Sequence, residues 1–123
     1  MKAESEAFKK RLIKLTSKTI FELKRLPRSI ENDIFLKQII RSSSSVGANY
    51  QESQSGHTRK DFIQKLSISL KEESETIYWL ELIQEMNNIN LLELISDHTE
   101  IRMILTKIIN TSKKSINQPK PAI

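Results

Sequence analysis

The sequence predicts an all-α protein folded as an up-down-up-down antiparallel four-helix bundle. Only two Gly and three Pro interrupt 123 residues, too few turn formers for a chain of short strands. Apolar residues recur at alternating steps of three and four in four separate blocks, the period of a helix with one buried face. Short polar breaks separate the blocks, and helices joined by short connections pack antiparallel to their neighbours.

Phe8, Leu12, Leu15, Thr19, Leu23 and Leu26 mark the core face of the first helix, and Pro27 is expected to end it. Ser29 stands where an N-cap belongs. Phe35, Leu36, Ile39, Ile40, Ser43, Val46, Gly47 and Tyr50 then keep the helical period through "RSSSSVGANYQES", residues 41–53. Propensity alone makes that serine-rich run a loop, because Ser and Asn bond their own backbone in non-helical conformations and Gly adds about 1 kcal/mol of helix cost. A loop has no reason to keep phase, so residues 29–53 are read as a helix kept thin for close approach by its neighbours, with Ser43 and Gly47 on the contact face.

Thr58 and Asp61 have the form of a capping box ahead of Phe62, and Phe62, Leu66, Leu70, Ile77 and Leu80 line a third helix that runs to about Met86. "NNIN" breaks it. Asn90 and Glu93 resemble a second capping box, followed by the stripe Leu91, Leu94, Ile95, His98, Ile101, Leu105, Ile108 and Ile109. One domain over residues 1–115 and a disordered tail over 116–123 complete the expected organisation.

No Cys is present, which excludes a disulfide framework and any thiolate metal site. No apolar run approaches the roughly 20 residues of a membrane span, and the mixed charges of "MKAESEAFKKRLIKL" do not resemble a signal peptide, so a cytoplasmic protein without membrane contact is expected. The net charge of +5 is unevenly spread: residues 1–28 hold nine Lys or Arg against three Glu, and residues 72–100 hold eight acids and no base. Such a chain can bind an acidic partner with its basic ends, or pair its own first helix with its own acidic third.

Arg11, Lys14, Lys18, Arg25 and Arg28 fall within about 100° on the first helix wheel, a candidate surface for nucleic-acid phosphates, to which helix four adds Lys107, Lys113 and Lys114. The alternative is a solvated face paired with an acidic segment of a neighbour. Ile13, Ile20 and Phe21 on helix one, with Ile68, Trp79, Leu82 and Met86 on helix three, lie off the main stripes, as an oligomer interface would. Arg41 and Glu52 share one line of helix two with Ser45, Asn49 sits beside them, and Glu72 and Glu75 lie near Trp79, so these residues are expected to form an internal polar network. A general-acid role for Glu72 and Glu75 is the enzymatic alternative, but no nucleophile and base accompany them and no catalytic residue is assigned. Glu-x-x-His is absent, His98 reads as a hydrogen-bonded packing residue and His57 as a turn residue, so neither metal nor cofactor is expected.

At "SVGANYQE" and "KEESETIYWLEL" the chain resembles the small bacterial four-helix-bundle proteins encoded in intervening sequences of 23S ribosomal RNA genes and often labelled ribosomal proteins. The resemblance covers roughly residues 8–110 and rests on Asn49, Glu52, Glu72, Glu75 and Trp79. It implies a left-handed bundle assembling as a ring-like homopentamer, similar to retroelement accessory proteins that bind a reverse transcriptase and nucleic acid. Two functions follow as expectations: a non-catalytic RNA or DNA accessory factor, or a protein-protein adaptor without nucleic acid.

Overall fold

The computed structural model describes residues 2–117 as four helices: α1 (Ala3–Leu23), α2 (Ile30–Ser53), α3 (Arg59–Asn87) and α4 (Leu92–Asn117). Each helix packs on the next in the chain and α4 returns to α1, closing a four-sided bundle in which α2–α3 is the tightest seam and α1–α4 the sparsest. Cross-helix partners run in opposite directions. Thr16 meets Ser43 and Leu12 faces Gly47; Ser42 meets Thr76 and Val46 meets Ser69; Arg11 pairs with Glu100 and Lys18 with Glu93. Neighbouring helices are therefore antiparallel. No helix among the described residues is long and apolar enough to cross a membrane.

The four apolar stripes meet in two clusters. Leu12, Val46, Tyr50, Leu66, Ile101, Leu105 and Ile109 fill the end beneath the α2–α3 turn; Leu23, Ile39, Leu80, Ile83, Leu91 and Leu94 fill the other. Burying each such side chain contributes about 1.5–3 kcal/mol, the main force holding helices whose own propensity is ordinary. Ile40 departs from the predicted stripe and is exposed.

The serine run is helical throughout. Hydroxyls cross both of its seams: Ser69 donates to the Val46 carbonyl at 2.7 Å, Thr16 donates to the Ser43 carbonyl at 3.2 Å, and the Ser42 and Thr76 hydroxyls bond at 2.7 Å. A side chain as short as Ser or Thr reaches a neighbouring helix's backbone only when the two helices lie close. The unfavourable serine propensity is offset by this contact and by the bond from Ser43 back to the Ile39 carbonyl.

Helix ends follow local chemistry. α1 stops at Leu23, before Pro27, because Arg25 and Leu26 bond three residues back and wind the last turn tight ahead of the proline. Ser29 and Thr58 cap α2 and α3 by accepting from Asn32 and Asp61 N–H groups, both at 3.0 Å. α3 ends at Asn88, whose φ of 50° is left-handed and whose N–H donates to the Gln84 carbonyl. Asn90 accepts from the Leu92 N–H, two residues on, where a capping box with Glu93 would need three. Asn32 and Asn87 exchange side-chain amide bonds at 2.9 Å, fastening the start of α2 to the end of α3. α4 extends to Asn117, past the expected boundary at 115; the rest of the predicted tail, 118–123, lies outside the described residues.

Candidate functional site

The interior polar group is not the predicted one. Glu73 of α3 is 2% exposed and His98 of α4 is 1% exposed, with Nδ1 of the imidazole 2.5 Å from the Glu73 carboxyl. The other ring nitrogen lies 2.8 Å from the Thr19 hydroxyl, itself 2.7 Å from the Leu15 carbonyl. The ring thus bridges two helices, its nitrogens bonded to the Thr19 hydroxyl of α1 and the Glu73 carboxyl of α3, and this mutual bonding lets a carboxyl and an imidazole occupy an apolar core. The sequence of hydroxyl, imidazole and carboxyl resembles a hydrolytic triad, but the three side chains are sealed inside the bundle with the hydroxyl committed to the backbone.

Glu73 was legible in principle. It falls between Leu70 and Ile77 at steps of three and four, and a charged residue in phase with a core stripe marks a buried partner. The predicted network splits instead. Arg41 bonds Glu72 at 3.0 Å and also meets Glu75, while Gln38 accepts from its Nε, but this cluster lies on the α2–α3 surface with the guanidinium half exposed. Asn49 bonds only Ser45, one turn earlier on α2, and Glu52 pairs with Lys65 in solvent. Arg41 and Glu52 both meet α3, nearly three turns of α2 apart, while Asn49 bonds within its own helix.

The predicted basic stripe is largely spent inside the chain: Arg11 and Lys18 find partners on α4, where α3 was expected, while Arg25 and Arg28 lie past the end of α1 and Arg28 pairs with α2. Arg11 pairs with Glu100 at 3.0 Å; Lys18 pairs with Glu93 at 3.3 Å and Asp97 at 3.6 Å. The hydrogen bond to Glu93 holds the Lys18 ammonium above its ordinary value. Arg28 grips Asp33 through both carboxylate oxygens at 2.9 and 3.1 Å, which raises the guanidinium and draws the carboxyl below its usual range. Lys14 and Arg25 make no ion pair among the described residues, and they line a shallow concavity with Lys18, Ile13, Phe21 and Glu22.

Of the apolar side chains set aside for an interface, Ile13, Phe21, Ile68 and Met86 are exposed, Phe21 to 71%. Ile20 and Leu82 are half-buried. Trp79 belongs elsewhere: it packs on the second core cluster, 6.1 Å from the Phe35 ring, and its indole N–H is buried without a partner. Phe35 of α2 leans over it, so Trp79 is covered by the chain itself while Ile68 and Met86 of the same strip stay exposed. Beside Ile13 and Phe21, the α1–α2 seam opens into a groove of about 660 Å³ floored by Leu12, Gly47 and Ala48.

The family model of the 23S rRNA-intervening sequence protein matches residues 5–110. The chain belongs to the 23S rRNA-intervening sequence protein family. A crystal structure of a protein of unknown function from the S23 ribosomal protein family, from Bacteroides thetaiotaomicron, is similar to it: 35% identity over 86% of this chain and 97% of that one, with a TM-score of 0.76. No curated protein matches the chain. The buried pair, the Arg41 cluster and the α1 surface all lie within the part shared with the intervening-sequence protein family, whereas Lys113 and Lys114 lie beyond it.

Proposed function

We propose that this member of the intervening-sequence protein family is a non-catalytic, homo-oligomeric accessory factor that holds nucleic acid by its backbone. One observation carries the reading: the outer surface of α1 places exposed Ile13 and Phe21 in a single concavity with Lys14, Lys18 and Arg25. Apolar groups so exposed favour a second copy, and association there leaves the cations at the rim of the contact. Several copies then present to one strand what a single chain presents weakly, and backbone binding steepens with each phosphate neutralised.

Sedimentation velocity and RNA binding on the same preparation test it. The wild-type chain is expected to sediment as an oligomer and to bind mixed RNA with an affinity that falls steeply from 50 to 200 mM salt. Phe21→Glu is expected to yield monomer with weakened RNA binding and an unchanged melting temperature. A monomeric wild type, or binding indifferent to salt, refutes the proposal. The ion pairing of Arg11, Lys18 and Arg28 within the chain favours the adaptor reading, in which α1 meets protein alone. An oligomer that binds no RNA would select it.

A further inference from the structure

Antiparallel packing sorts charge along the bundle in a way no linear block of sequence reveals. The half built from residues 2–12, 47–70 and 103–115 holds ten Lys or Arg against four Asp or Glu; the half built from 13–46 and 71–102 holds nine against eleven. Between α3 and α4 a groove of about 650 Å³ runs from the junction into the basic half. Its walls hold Arg102, Lys107 and Lys114, the neutral polar side chains Ser74, Thr106, Asn110 and Thr111, and no acid. None of the three cations makes an ion pair among the described residues. Of the acids nearest in sequence, Glu72 and Glu75 turn toward Arg41 and Glu100 toward Arg11, while Glu73 is buried against His98 in the core.

We infer that this α3–α4 groove is a binding site for the phosphodiester backbone of a nucleic-acid strand, with Arg102, Lys107 and Lys114 as its phosphate contacts. The inference deepens the nucleic-acid reading above and rests on it, while adding to the α1 surface a second contact at the α3–α4 seam. Lys107 and Lys114 are seven residues apart, two helical turns, so their Cα atoms stand about 10 Å apart along α4. Two cations that far apart suit separate phosphates of one extended strand better than one compact anion. Ser74, Asn110 and Thr111 can donate to the oxygens between them. Because the lining reads no base edge, RNA and DNA are equivalent ligands.

Fluorescence anisotropy with labelled single-stranded RNA and DNA of identical mixed sequence, over 50–300 mM NaCl, tests the site on the full chain. The triple replacement Arg102→Gln, Lys107→Gln and Lys114→Gln is expected to weaken binding about tenfold or more and to flatten the log-log salt slope by about 2, since each single-strand phosphate contact contributes about 0.7. Circular dichroism should report the same melting temperature, because the three side chains support no internal contact. Lys37→Gln with Lys71→Gln, exposed cations outside both the groove and the α1 surface, is expected to leave the slope unchanged. A triple variant with undiminished slope, or a loss confined to either RNA or DNA, overturns the groove and leaves nucleic-acid binding standing. A wild-type chain that binds neither probe removes the nucleic-acid reading and the groove together.

Discussion

The hydrogen bond between Glu73 and His98 makes each residue the condition for burying the other. Removing one partner strands an uncompensated polar or charged group in the core, so Glu73→Leu or His98→Leu is expected to cost about 3–5 kcal/mol. The double variant leaves nothing stranded, and urea unfolding of all four proteins should show it more stable than the two single costs added together, by more than about 1 kcal/mol. Strict additivity would dissolve the coupling. Glu75→Leu and Asn49→Leu, by contrast, remove a half-exposed ion pair and a bond within one helix, and each should cost less than about 1 kcal/mol. At the entry to α2 the expectation concerns pH. Arg28 holds the Asp33 carboxyl below its ordinary 3.8, so the stabilisation this pair gives is complete above that value and is lost as pH falls through the depressed folded value. Carboxyl NMR titration should find the Asp33 midpoint below 3.8, rising toward it in Arg28→Gln.

Elements were readable where one physical signal decided them. Phase carries α2 through a run of serines that propensity assigns to loop, and close packing is the reason, with hydroxyls of α1 and α3 reaching its backbone. Ser29 and Thr58 announced their helices because capping is local. What sequence does not carry is which helices are neighbours: the acids opposite α1 sit on α4, and the partner that lets Glu73 be buried is His98, on another helix. Gly47 is the instructive case within α2. A methyl group built there would lie 3.8 Å from the Leu12 Cβ, ordinary contact, so the packing of the four helices does not require glycine at this position. Gly47→Ala is therefore expected to raise thermal stability by about 0.5–1 kcal/mol through helix propensity. If the same change weakens self-association in sedimentation, the glycine serves the α1–α2 groove and the copy that fills it; a destabilised monomer would show the helices to be closer than this geometry allows.

At the scale of the whole molecule, the charge gradient along the bundle constrains how copies can be arranged. In a ring all copies point the same way, so their basic halves share one rim and repel, with a net +6 on each chain's basic half. Opposed copies would instead set that half against one carrying −2 and attract. The Debye length shortens from about 10 Å at 0.1 M salt to about 3 Å at 1 M, which removes either interaction and leaves the proposed assembly to be held by its proposed apolar contact through Ile13 and Phe21. A ring is thus expected to tighten as NaCl rises, while its grip on nucleic acid loosens over the same range. Sedimentation equilibrium across 50–500 mM NaCl, alone and with single-stranded RNA, reads both trends on one sample. Self-association that weakens with salt would assign opposed copies, and the shared basic rim would have to be given up.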